Sequence, residues 1–191
     1  VGANKAAILI AQYLKANNRD VIMLDNSPSN IDDAKSSGLE AFEANIYKDN
    51  MEDNIQLLDI GYMIAMTGSD EVNSFAIKEY KHIFGEKGAY RLITQKEMKG
   101  QNNKPDYLLS YKDDYLNINE AARDYPEIHE LELDNDLNAF NDLLDKINAM
   151  PKSIPLFTKK KDGSLENIPT DRSEVDLEES IRLVYLGEKI K

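Results

Sequence analysis

Apolar positions in the first half of the chain switch between two periods. From Asn4 to Asn17, the residues Ala6, Leu9, Ile10, Tyr13 and Leu14 recur three and four apart, which predicts a helix with one buried stripe. Val21 to Leu24 is a short continuous apolar run, the signature of a strand covered on both faces. Ser29 to Ala34 predicts a second helix, with Gly38 as its stop signal. A weak strand follows over Leu39 to Phe42, and a stronger one over Tyr62 to Met66. Asp70 to Phe84 reads as a helix with Asp70 near its start and Gly85 beyond its end, and Gly88 to Ile93 as a strand. Strands alternating with helices imply a parallel sheet with helices on both faces, a Rossmann-like α/β arrangement.

The pattern changes near residue 100. Gly100-Gln101-Asn102-Asn103-Lys104-Pro105 is polar and punctuated, a candidate linker. Residues 106–126 are ambiguous, with a short helix possible over Asn119 to Asp124. His129 to Leu133 alternates like a half-buried strand. Leu137 to Ala149 is an amphipathic helix with Leu137, Phe140, Leu144 and Ile147 on one face. Ile154 to Lys160 and Leu165 to Ile168 flank Lys161-Asp162-Gly163-Ser164, a hairpin signature, and Ile181 to Leu186 is a last strand. The expected organisation is therefore a Rossmann-type domain over residues 1–100 and a small α+β domain over residues 101–191.

Composition narrows the classes of function. The chain has 191 residues, 41% of them hydrophobic, enough for one large core and a smaller one. No stretch approaches the roughly 18 consecutive apolar residues of a membrane helix. The chain itself is therefore expected to be soluble, and no signal peptide is visible at its start. Cysteine is absent, which excludes disulfides, thiolate nucleophiles and Cys-ligated metals. A net charge of −12 repels nucleic acids and anionic membrane surfaces. It still permits a small anion held locally at a helix N-terminus.

Candidate chemistry concentrates in Val1-Gly2-Ala3-Asn4-Lys5-Ala6-Ala7 and in Asp25. A dinucleotide fold needs a tight turn ahead of its first helix, and Gly2 can supply it. It needs a small residue where that helix meets the sheet, and Ala7 can supply that. It also needs an acid about 20 residues further on to accept ribose hydroxyls, and Asp25 ends the apolar run of the next strand. The pattern is G-x-N-x-x-A, so Asn4 replaces the glycine that lets phosphates approach most closely. Its side chain either crowds a dinucleotide or hydrogen-bonds a phosphate. The alternative is that Gly2 is only a turn, Asp25 only a strand-end solvating residue, and the site vestigial. Thr67-Gly68-Ser69-Asp70-Glu71-Val72-Asn73 follows a strand and opens a helix; it caps that helix, and Thr67 and Gly68 are candidates to line the ligand crevice. Asn45 either reaches a bound adenosine or makes an Asx turn.

Gly2-Ala3-Asn4, Leu24-Asp25, Ala44-Asn45-Ile46 and Met66 to Asn73, in that order, resemble the TrkA-N (RCK, or KTN) domain over residues 1–100. More narrowly the chain is similar to the cytosolic region of NhaP-type bacterial sodium/proton antiporters. There Ile154 to Phe157, the Asp162-Gly163 turn and Leu183 to Leu186 resemble the small domain that follows. The resemblance implies a nucleotide-sensing domain that binds NAD or NADH, or an adenine nucleotide such as AMP or ATP. It implies a homodimer through the Rossmann unit and a membrane transporter domain in cis or trans, at the cytoplasmic face of the inner membrane. It also implies site residues: Gly2, Ala3 and Asn4 at the phosphate turn, Asp25 and its neighbour Asn26 at the ribose, Asn45 at the adenine, and Thr67 and Gly68 in the loop opposite. The family's first strand should precede Gly2, so residues upstream of Val1 are expected to supply it.

Two other classes compete. An NAD-dependent oxidoreductase fragment would need a catalytic His, Lys or Tyr against the nicotinamide. His82 lies mid-helix and His129 opens a strand, both reading as structural, and no nucleophile–base pair or metal spacing emerges. Asp32-Asp33 and Asp113-Asp114 read as solvated faces. An interaction scaffold with a decayed nucleotide site is the third reading. The expectation is a domain with no catalytic and no metal-binding residues.

Overall fold

A computed structural model describes residues 1–49, 61–84, 88–93, 97, 114–169 and 172–190. The chain divides into two compact units, Val1–Leu108 and Leu109–Lys191. The candidate linker at 100–105, Gly85 and Asp113 lie outside the described residues.

The first unit runs α1 (Lys5–Ala16), β1 (Ile22–Asp25), α2 (Pro28–Ser36), β2 (Glu40–Glu43), β3 (Met63–Ala65), α3 (Asp70–Phe84) and β4 (Ala89–Arg91). Helices and strands alternate, and the strand pairs β1–β2 and β3–β4 are both parallel. The two pairs do not share a ladder. Val1 and Gly2 stand between them instead. Gly2 N–H donates to Leu24 O of β1 at 2.7 Å, the Val1 amine to Ile64 O of β3 at 2.7 Å, and Met66 N–H to Val1 O at 2.8 Å. Two residues are too short to register as a strand, yet they place the ends of β1 and β3 on either side of one turn. This unit is a Rossmann-like fold.

Small residues bring the helices close to the strands. The stripe that α1 buries is Ala6, Ala7, Ile10 and Ala11, rotated from the expected one; Leu9, Tyr13 and Leu14 are only half-buried. Alanine has the best intrinsic helix propensity and lets a helix backbone approach a sheet closely. α3 buries Ala76, Ile77 and Tyr80 against Leu24, Met63, Ala65 and Ala89. Gly38, past the end of α2, takes the left-handed φ of +78° that ends a helix.

The second unit runs α4 (Tyr115–Asp124), β5 (Ile128–Glu132), α5 (Leu137–Ala149), β6 (Ser153–Lys160), β7 (Leu165–Asn167), a 3-10 turn over Arg172–Glu174, and β8 (Ser180–Gly187). It is a small α+β unit with one antiparallel sheet in the order β5-β8-β6-β7. Asp114 caps α4 by accepting from Leu116 and Asn117 N–H at 3.0 Å, and Asp136 caps α5 by accepting from Asn138 N–H at 2.9 Å. Phe140, Leu144 and Ile147 of α5 pack on Leu183 and Tyr185 of β8. Each such side chain, fully buried, contributes roughly 1.5–3 kcal/mol. Leu137 does not join them: it is 38% exposed, in the first turn of the helix. The hairpin forms as its sequence predicts, with Gly163 at φ +82° and Ser164 N–H donating to Asp162 Oδ1 at 2.8 Å.

The register between β6 and β8 shifts between Pro155 and Phe157, leaving Leu156 as a fully buried extra residue. Pro155 stands opposite Tyr185. Having no N–H, its nitrogen must face away from β8, toward the β7 side. There β7 pairs only with Phe157 to Lys159 and stops at Asn167, two positions before Pro169.

Candidate functional site

Loops at the carboxyl ends of β1 and β3 meet the turn before α1, and Gly2 is the pivot. Its φ is +95°, and a Cβ there would lie 3.0 Å from the backbone C and O of Met66 and 3.1 Å from Thr67 Cγ2. Glycine is thus needed twice, for its dihedral and for the close approach of the β3 exit.

Asp25 ends β1 with its carboxylate turned toward this turn. Oδ2 accepts from Ala3 N–H at 2.7 Å and from Asn30 Nδ2 at 3.2 Å, and Oδ1 accepts from Ser27 N–H at 2.9 Å. An ionised carboxylate offers about four acceptor directions, so three donors leave capacity for a sugar hydroxyl.

Asn4 is the N-cap of α1, with Oδ1 accepting from Ala7 N–H at 3.1 Å. Its other side-chain atom crosses to the far loop, where Nδ2 donates to Met66 O at 2.5 Å. Lys5, exposed, is the first residue of the helix, where backbone amides and the helix dipole favour an anion.

Opposite the turn, Thr67 is clamped by a buried asparagine of α3. Asn73 is only 2% exposed. Its Oδ1 accepts from Thr67 N–H at 2.9 Å and from Thr67 Oγ1 at 2.8 Å, while its Nδ2 donates to Thr67 O at 2.9 Å. Ser69 caps α3, its Oγ accepting from Val72 N–H at 3.3 Å. Gly68 is exposed between them.

The structure thus gathers Gly2, Ala3, Asn4, Asp25 and Thr67 around one turn. Asn45 stands beside it, since Ala44 N–H donates to Asp25 O at 2.9 Å, but its side chain serves its own loop. Asn45 Oδ1 accepts from Tyr47 N–H at 3.1 Å, an Asx turn, and Tyr47 then packs on Phe75 of α3 with ring centroids 4.7 Å apart. Asn26 is exposed. Reasoning from the sequence missed Asn30 and Asn73, the two amides that orient Asp25 and Thr67. The signal was faint: Asn73 is a polar residue on the side of α3 that also carries Ala76, Ile77 and Tyr80.

The TrkA-N domain family model matches residues 1–100. The chain belongs to the TrkA-N family. Members of this family carry a Rossmann-like, NAD(H)-binding fold and serve as nucleotide-binding regulatory domains of ion transport systems; they are typically regulatory rather than catalytic. No curated protein and no solved structure is detectably similar to the chain. His82 is exposed with Nδ1 2.7 Å from Glu79 O, and His129 lies in the second unit with Nε2 3.1 Å from Gly187 O. Among the described residues, no three His, Cys, Asp or Glu side chains could hold a metal ion, and no helix is long and apolar enough to cross a membrane.

Proposed function

We propose that this chain is the nucleotide-sensing regulatory region of a bacterial cation transporter, a sodium/proton antiporter, at the cytoplasmic face of the inner membrane. The observation that carries the sensing role is the Asp25 carboxylate, held 2.7 Å from Ala3 N–H at the start of α1. Phosphates placed at the amides and dipole of that helix start set the attached ribose against Asp25. The antiporter assignment rests on Ile154 to Phe157, the Asp162-Gly163 turn and Leu183 to Leu186, which resemble the small domain following the TrkA-N domain in NhaP-type antiporters.

In this reading residues 1–100 sense the nucleotide and residues 101–191 form the appended small domain. Two copies associate through the Rossmann unit, and the transporter domain is joined in cis or bound in trans. A ligand shifts such an assembly only by binding its two states with different affinity. Loops from the ends of β1 and β3 meet at the turn, so a ligand seated there favours one arrangement of β1 against β3.

Calorimetric titration of the chain with NADH and with ATP tests the reading. We expect binding to at least one of them without turnover, and Asp25→Ala to weaken it by about tenfold or more, the worth of a hydrogen bond to a charged group. Equal binding by Asp25→Ala would overturn the site assignment. Absence of binding to any nucleotide would leave an interaction scaffold, and nicotinamide turnover would make the chain an oxidoreductase.

A further inference from the structure

The two flanks of the turn are built differently. Toward β1 the turn meets the Asp25 carboxylate; toward β3 it meets the backbone of Met66 and the side-chain methyl of Thr67. A dinucleotide laid across the switch point of a doubly wound sheet puts one nucleotide on each flank, with its pyrophosphate over the turn. The middle position of the turn is usually glycine because the pyrophosphate must come close to the backbone there. Asn4 holds that position with φ −74° and ψ 170°, dihedrals open to any residue, so asparagine brings no backbone strain. Its consequence is spatial. Oδ1 is committed to Ala7 N–H and Nδ2 to Met66 O, so the side chain spans from the helix start to the exit of β3. Below it the two loops already touch, with the Cβ direction of Gly2 meeting Met66 backbone atoms at 3.0 Å.

Building on the nucleotide-sensing reading, we infer that Asn4 is a specificity-determining residue: strapped from α1 to the Met66 carbonyl, it closes the β3 flank to the second half of a dinucleotide. What remains is a site for a single adenine nucleotide, its ribose on Asp25 and its phosphates at the start of α1. A dinucleotide has to displace the strap, which uncaps the helix and strips Met66 O of its donor. A mononucleotide leaves both bonds intact.

Two substitutions separate the strap from the cap. Serine caps a helix as well as asparagine does, but its shorter side chain cannot also reach Met66 O. Glycine at this position removes both bonds at a small cost in helix stability. The test is calorimetry on the full chain with AMP, ADP, ATP and NADH, for the parent, Asn4→Ser and Asn4→Gly, with thermal melts to confirm folding. The parent is expected to bind its best adenine mononucleotide at least about tenfold more tightly than NADH. Asn4→Ser is expected to shift the ratio of NADH to mononucleotide affinity about tenfold toward NADH, and Asn4→Gly to move it in the same direction. A parent that binds NADH as tightly as the mononucleotide overturns the inference and leaves nucleotide sensing standing. So does an Asn4→Ser variant whose preference is unchanged. If neither the parent nor a folded variant binds any nucleotide, the sensing reading fails and the inference with it.

Discussion

The two units hold themselves together by different means. In the first, strands of three or four residues are parallel, the helix stripe of α1 is mostly alanine, and loops are joined by asparagine and aspartate side chains bonded to backbone. In the second, β6 and β8 each run eight residues, antiparallel, around fully buried Phe140, Ile147, Leu183 and Tyr185. The second unit owes its cohesion to large apolar side chains. The first ties its loops together around the turn at Gly2 with backbone amides and polar side chains, each bond contributing about 0.5–1.5 kcal/mol net.

Substitutions that separate these two modes sharpen the contrast. The largest effect belongs to the second unit. Phe140→Ala removes a fully buried ring from the contact with Leu183 and Tyr185 and should lower the unfolding free energy by about 3–5 kcal/mol, read by urea denaturation followed with circular dichroism. Asn73→Ala comes next and strikes the first unit. It leaves the N–H and C=O of Thr67 without their side-chain partners and should cost about 1–3 kcal/mol. Unlike the Phe140 change, it should also weaken nucleotide binding, because the loop facing the turn loses its clamp; an unchanged dissociation constant would show that the clamp serves stability alone. The smallest effect is expected at the hairpin of the second unit. Gly163→Ala places a side chain in open space but at φ +82°, so only the dihedral is penalised and the loss should be about 1–2 kcal/mol, or a few degrees in Tm.

Elements were legible in the sequence where one periodicity ran long enough. Asp70–Phe84 and Leu137–Ala149 form with the predicted ends, and the Lys161–Ser164 turn forms between its two strands. The buried face of a helix was less legible. In α1 the buried face carries Ala6, Ala7, Ile10 and Ala11, while Leu9, Tyr13 and Leu14 stay half-buried, because short side chains let the helix sit close to the strands. Tertiary order was not legible at all. Nothing in the pattern places β8 between β5 and β6, or Val1 and Gly2 between Leu24 and Ile64. At the candidate site the sequence identified the turn and the acid, since glycine and a strand-end aspartate have fixed geometric uses. It could not show that Asn4 bonds across to Met66, nor that Asn45 bonds within its own loop, because an asparagine side chain suits caps, turns and ligands equally well.

One consequence of the second unit's sheet concerns what the molecule avoids. The stretch of β6 past the end of β7 is apolar, running through Ile154, Pro155 and Leu156, and it is buried. Pro155, on the side of β6 away from β8, takes one donor out of that edge. An extended chain pairing along it would meet a missing donor there, so this edge is a poorer template for strand-to-strand association than an unbroken ladder.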